Sequence, residues 1–371
     1  MTSSLSPTRI LDRLERLVSL ETPSADSARL LACYEPLREW GTAALGREPQ
    51  TVTCDGVPHL HWPADEPSVL LLTHADTVFA AGTTDTRPFE IDRGRAYGPG
   101  VFDMKSGIVL ALEAIEQVEH PERISMVVTG DEEVGSPTSR PLIEKAATNA
   151  RATLVPEPSL DGALKTERKG GGIYQVHFEG REAHAGLEPE LGHNALVELA
   201  HVVTHVCELA DLDRGTTVTP TTARAGTTTN TVPGHAQVGI DVRARSMAEL
   251  QRVDDALRAI PSRDERVRMR LDGGINRPPL EESASNALFA LARDAAATAG
   301  LPAVEGCSVG GASDGNFTAA LGVPTLDGLG AVGHGAHTPD EWIDVASLPD
   351  RARLIAAVLS RLTSKSGSLT I

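Results

Sequence analysis

Residues 69–72, Val-Leu-Leu-Leu, are an unbroken apolar run that stops at Thr73-His74-Ala75-Asp76. A run this short with no polar position reads as a strand buried on both faces, the kind found in parallel sheets. Residues two apart on an extended backbone point the same way. Asp76 is therefore placed to hold the imidazole of His74 while the other ring nitrogen faces a metal. Taken alone, a histidine at a strand end is more often an ordinary polar residue.

The same arrangement recurs along the chain. Residues 124–129 form a second apolar run and lead into Gly130-Asp131-Glu132-Glu133. Residues 152–155 lead into Pro156-Glu157, and residues 323–326 precede Gly333-His334-Gly335-Ala336-His337. Asp103 follows the turn Tyr97-Gly98-Pro99-Gly100 and opens a helix that runs to about residue 118. Helices are expected over 7–20, 26–45, 141–150, 284–299 and 347–363, with Pro36 kinking or shortening the second. Residues 50–62 are weak strand material, and 80–100 a loop with two short β pieces. Helices and short buried strands in alternation predict an α/β domain with a mostly parallel sheet.

The pattern changes at Gly170-Gly171-Gly172. Strand 173–179, helix 194–209, strands 216–225 and 236–243, helix 246–260 and strand 266–271 follow in the order β-α-β-β-α-β. That is the order of a ferredoxin-like unit. The expected division is a catalytic domain over 1–171 and 277–371, with 172–276 inserted as a lid or dimerisation domain.

A length of 371 residues also favours two domains. The formal net charge of -17 disfavours nucleic acid and anionic membrane as partners. Cys33, Cys54, Cys207 and Cys307 lack any C-x-x-C or zinc-finger spacing, so they read as thiols of a reduced compartment. The first twenty residues show neither a signal peptide nor an apolar span, and the expectation is a cytoplasmic protein.

In an open α/β sheet the functional crevice lies beyond the carboxyl ends of the strands. His74, Asp76, Asp103, Glu132, Glu133, Glu157 and His337 all fall at such positions. Histidine and carboxylate ligands without thiolates suit Zn²⁺, with Co²⁺ or Mn²⁺ able to substitute. Two metals sharing a carboxylate would serve hydrolysis. The adjacent acids Glu132 and Glu133 fit a division of labour, one ligating and one moving protons.

The chain resembles the dinuclear-zinc aminoacylase/carboxypeptidase metallopeptidase family, which includes acetylornithine deacetylase and succinyl-diaminopimelate desuccinylase. Within it the likeness is strongest to the bacterial folate-cleaving glutamate carboxypeptidases. The likeness rests on THAD (73–76), YGPGVFDMKSG (97–107), TGDEEVGS (129–136), PEPS (156–159), GREAHAGLEPELGHNAL (180–196), NTVPGHAQVGIDVR (230–243), GGASDGN (310–316) and HTPDEWIDV (337–345). It implies two zinc ions per subunit, with Asp103 bridging them. His74 and Glu157 would complete one site, and Glu133 and His337 the other. Asp76 would orient His74, and Glu132 would be the general base and acid. A cis peptide is implied at Asp103-Met104. His184 would stabilise the oxyanion, often from the partner subunit of a homodimer formed through the inserted domain. Asn230, Arg243, Arg277 and the glycines Gly310 and Gly311 would hold a substrate carboxylate.

The implied reaction is hydrolysis, by metal-activated water, of the amide or peptide bond next to a C-terminal amino acid with a free carboxylate. The substrate would be a small N-acyl amino acid or peptide. An N-acyl-amino-acid deacylase or a dipeptidase shares every metal-site motif. A binding protein that kept the metal site is the non-enzymatic alternative, and the intact ligand and acid set argues against it. His334 rivals His337 but lies outside the motif. His59, His61, His201 and His205 are expected to be structural.

Overall fold

The computed structural model describes residues 5–24 and 26–364. Two compact units emerge: residues 168–279 with 310–312, and the remainder of the described chain.

The first unit is built on a six-stranded sheet. Its order is Gln50–Cys54, Val57–Trp62, Ile124–Thr129, Val69–His74, Thr153–Leu154, Thr325–Leu326. The last four run parallel, and the first two form an antiparallel hairpin on one side. Val69–His74 is fully buried and hydrogen-bonded on both edges. Its side chains alternate between two cores, as the strand period requires. Val69 and Leu71 join the core formed with the helices Pro7–Val18, Ser27–Leu45, Ser106–Ile115, Glu282–Thr298 and Leu348–Thr363. Leu70 and Leu72 join a smaller core with Leu142, Ile143 and Phe317 from the opposite helices. The fold is α/β with a mostly parallel central sheet.

Two local details differ from the sequence reading. The helix Ser27–Leu45 continues through Pro36 and is not shortened by it. Burial of Leu30, Cys33, Tyr34 and Leu37 on either side of the proline outweighs its local cost. Residues 50–62 form a regular hairpin rather than weak strand material. Cys54 pairs with Val57 across Asp55 (φ 46°) and Gly56 (φ 84°). Two successive positive φ values are the signature of the two-residue turn that Asp-Gly favours.

In the second unit, Thr217–Ala225, His235–Ala244, Gly170–Glu179 and Arg268–Arg277 lie side by side, every neighbour antiparallel. With helices Ala195–Cys207 and Met247–Arg258 this is the ferredoxin-like βαββαβ arrangement. The core lies between the helices and one sheet face. Tyr174, Val176 and Phe178 point into it, while Ile173 on the other face is exposed.

A small four-stranded sheet in the first unit matters most for the site. Trp342–Asp344 pairs with Arg95–Tyr97 on one side and Gly333–His334 on the other. It joins the segment before Asp103 to the segment around His337, which lie far apart in the chain.

Candidate metal centre

His74 ends the central strand, and Asp103 sits in an irregular turn before the helix Ser106–Ile115. Glu133 lies in the short helix Glu132–Val134 after strand Ile124–Thr129, and Glu157 follows Thr153–Leu154. These parallel strands end together, which is why their following residues converge.

The convergence produces two groups that share one residue. His74, Asp103 and Glu157 form the first, and Asp103, Glu133 and His337 the second. Nε2 of His74 lies 3.2 Å from Oε1 of Glu157 and 3.4 Å from Oδ1 of Asp103. Nε2 of His337 lies 3.0 Å from Oε2 of Glu133 and 3.3 Å from Oδ2 of Asp103. Asp103 thus turns one carboxylate oxygen to each group. The Asp103–Met104 peptide is cis.

The donor set fits a pair of divalent cations. Nε2 of His74 and Oε1 of Glu133 are buried and lack a hydrogen-bond partner. Orphaned buried donors and acceptors are costly, and cation ligation would relieve both. The electrostatics agree. Burial opposes charge on His74, yet Asp103, Asp76 and Glu157 raise its pKa well above the usual value. Asp103 and Glu133 raise His337 to about 10 against its partial burial. Burial pushes Glu133 up, with His337 opposing and Asp103 reinforcing the shift. Asp103 is held well below the carboxylate range: burial would raise it, but the two imidazoles dominate. The carboxylates therefore favour positive charge at the points the ring nitrogens face.

Asp76 is engaged more widely than the orientation of one imidazole. Nδ1 of His74 lies 3.0 Å from the Asp76 backbone carbonyl and 3.4 Å from its Oδ1. The Asp76 carboxylate accepts the backbone N–H groups of Glu132 (3.1 Å) and Glu133 (3.2 Å) and the hydroxyl of Ser24 (2.7 Å). One buried side chain thus fixes both the first histidine and the turn carrying the paired acids. Glu157 is confined by glycines. A Cβ on Gly107 would strike the Pro156 carbonyl, and one on Gly330 would strike the carbonyls of Pro156 and Glu157.

Sequence reasoning assigned no role to several supporting residues. Glu341 accepts the N–H groups of Gly100, Phe102 and Asp103. Burial raises Glu341 to about 7, opposed by those amides and reinforced by Asp103. Lys105 is buried and donates to the carbonyls of Leu17 and Leu20, and the Thr22 hydroxyl donates to the Ala75 carbonyl. Glu341 and Lys105 sit inside motifs that were recognised, so the signal for them was present. Ser24 and Thr22 sit between the helices expected over 7–20 and 26–45, where no motif marks them.

His334 pairs with Trp342 in a short strand and belongs to neither ligand group. His59 is buried between the Gly130 amide, which donates to its Nδ1, and Thr138. His201 and His205 stack on their helix, ring centroids 6.5 Å apart, and belong to neither group.

The remaining candidates lie in the second unit. His184 is exposed, in a two-residue strand opposite Thr231. Its Nδ1 accepts the N–H groups of Gly186 and Leu187, both at 3.1 Å. With Nδ1 accepting, the ring's N–H lies on Nε2. Asn230 is exposed, and its carbonyl accepts the Ala185 N–H at 2.9 Å. Arg243 and Arg277 both pair with Gly171, on opposite sides of the same strand. Arg277 is buried. Arg243 is half-exposed and forks onto Asp241, with contacts of 2.8–3.2 Å. Gly310 and Gly311 are exposed, and a Cβ on either would meet nothing within 4 Å. The Arg168 guanidinium donates to the carbonyls of Gly311 and Ala312.

An α/β unit with histidine and carboxylate groups sharing one aspartate at its strand ends fits a metal-dependent hydrolase. The model of peptidase family M20/M25/M40 matches residues 70–361, and the chain belongs to that family. Carboxypeptidase G2 of Pseudomonas sp. (strain RS-16) is 29% identical over 377 residues, spanning 95% of this chain and 89% of the relative. Acetylornithine deacetylase of Myxococcus xanthus is 29% identical over 233 residues, spanning 56% of this chain and 60% of the relative. Among solved structures, aminopeptidase PepT from Bacillus cereus superposes with a TM-score of 0.74 at 20% identity, covering 97% of this chain and 100% of that one. An M20 family metallo-carboxypeptidase from Sulfolobus solfataricus gives 0.73 at 16% identity, covering 95% and 99%. The protein is a hydrolase of the metallopeptidase class, and among its described residues no helix is long and apolar enough to cross a membrane.

Proposed function

We propose that the protein is a carboxypeptidase-type amidohydrolase of the glutamate carboxypeptidase kind. It would cleave the bond joining an acyl or peptidyl group to a C-terminal amino acid with a free carboxylate. The observation that carries this reading is Asp103, whose two oxygens each face a separate histidine–carboxylate group. We assign two zinc ions to these groups, His74, Asp103 and Glu157 holding one and Asp103, Glu133 and His337 the other. Co²⁺ and Mn²⁺ suit the same donors. Bound there, the cations polarise the scissile carbonyl and ease deprotonation of water.

The chain's own groups supply the rest. Glu132 takes the proton from the attacking water and passes it to the departing nitrogen. Its backbone is anchored by Asp76, so the side chain works from a fixed point. His184 presents an Nε2–H, the donor that a developing oxyanion needs. Arg243 and Arg277, with Asn230 and the Gly311 loop, are assigned to the substrate carboxylate. Two guanidinium-bearing residues in one row across the sheet support this assignment. For Arg243 it requires substrate to compete with Asp241.

The zinc-loaded protein, assayed with acyl-glutamates, other acyl amino acids and dipeptides, should release glutamate from the first group fastest. Cleavage confined to dipeptides would favour the dipeptidase reading. Zinc uptake without hydrolysis of any substrate would favour a binding protein. The second unit is also assigned to homodimerisation. Support comes from the sheet edge at Thr217–Ala225 and from Leu196 and Val197, exposed on a helix. Light scattering should give twice the chain mass. Four cysteines without a disulfide accord with the cytoplasm.

A further inference from the structure

We propose that Glu341 is a positioning residue of the metal centre: through three backbone amides its carboxylate sets the turn that holds Asp103 across the two ligand groups. The N–H groups of Phe102 and Asp103 donate to Oε1 at 2.8 and 2.9 Å, and that of Gly100 donates to Oε2 at 2.8 Å. The residue is only 1% exposed and belongs to neither ligand group. Lys105, the buried cation of the same turn, directs its Nζ to the carbonyls of Leu17 and Leu20. The amides are therefore the partners that hold the Glu341 carboxylate.

Position in the chain gives the contact its consequence. Glu341 lies between His337 and the strand Trp342–Asp344, which pairs with Arg95–Tyr97. It thus ties the segment bearing His337 directly to the turn bearing Asp103, two ligands of one group. Within that turn the Lys105 N–H closes onto the Gly100 carbonyl at 3.0 Å, but Asp103 and Met104 depart from helical φ/ψ. Without the carboxylate, three amides, two of them in buried bonds, would lose their acceptor and the direction of Asp103 would be set only by its neighbours.

The inference rests on the two-metal reading, and a zinc titration against a competing chelator tests both. Failure of the wild type to take up zinc removes that reading, whereas the comparison of variants bears on Glu341 alone. Glu341→Gln keeps the shape but offers a single acceptor oxygen and turns an NH2 toward an amide. It should bind zinc roughly 10- to 100-fold more weakly, the range for residues that orient ligands. Glu341→Asp keeps the charge and should recover part of the loss. Glu113→Gln is the control, removing a fully buried carboxylate of the same unit that pairs with Arg9 and Arg13. It should lower stability and leave zinc affinity unchanged. Wild-type affinity in a folded Glu341→Gln would overturn the proposal. If that variant does not fold, wild-type affinity in Glu341→Asp would overturn it equally.

Discussion

Asp76 shows how one residue can hold both candidate ligand groups. Its carboxylate holds the amides of Glu132 and Glu133, and its carbonyl faces Nδ1 of His74. The proton-moving role assigned to Glu132 makes a sharp prediction. Glu132→Gln should keep wild-type zinc content and melting temperature while turnover falls roughly 100- to 10,000-fold. Ordinary turnover in that variant would remove Glu132 from the role. Close approach of backbone to backbone predicts a different phenotype. Gly107→Ala puts a methyl against the Pro156 carbonyl and within 3.0 Å of the Met104 methyl. Backbone cannot yield as a side-chain tip can, so Glu157 must shift. The expected cost is about 1–3 kcal/mol of stability. It should appear as a lower denaturant midpoint together with weaker zinc binding, and an unchanged affinity would show that Glu157 tolerates the shift. The ligand types were legible because strand-end histidines and acids stood out from their surroundings. Ser24 and Gly330 were not, because their importance arises only from contacts with residues distant in the chain.

At the scale of elements, the hairpin Gln50–Trp62 carries a pH dependence. Burial, reinforced by the charges of Lys145 and Arg47, lowers His61 to about 4, and burial lowers His59 as well. Below the ordinary histidine value of 6.5 the unfolded chain binds a proton at residue 61 that the folded chain refuses. Stability contributed by this group therefore falls as pH drops from about 6.5 to about 4 and levels off below. Glutamine at position 61 can still reach Ser125, now 3.1 Å from Nε2, and does not titrate. Denaturant midpoints of His61→Gln should show a shallower acid slope in that window than the wild type. An identical slope would place the acid sensitivity elsewhere. The Asp55-Gly56 turn that creates this hairpin is present in the sequence, but the flanking residues alternate poorly and mask it. Pro36 is the opposite case: its local signal is clear, and packing on both sides keeps the helix from ending there.

At the scale of the molecule, every residue assigned to a metal lies in the first unit. Ligands that bind only the folded state stabilise it by mass action. Chelation should therefore lower the thermal transition of the first unit and leave that of the second in place. Calorimetry with and without EDTA would show one peak moving, and equal displacement of all unfolding heat would tie the second unit to the metals. The sequence by itself determined the class of fold, since short apolar runs alternating with helical patterns suit strands covered on both faces. It also marked the types of candidate ligand, because chemistry restricts which side chains hold hard or borderline cations. Tertiary structure decided which atoms serve. Asp103 divides its oxygens between two groups because the small sheet and Glu341 aim its turn, and Glu157 reaches the first group because Gly107 and Gly330 leave it room. Such directions depend on contacts between segments distant in the chain, and no local pattern encodes them.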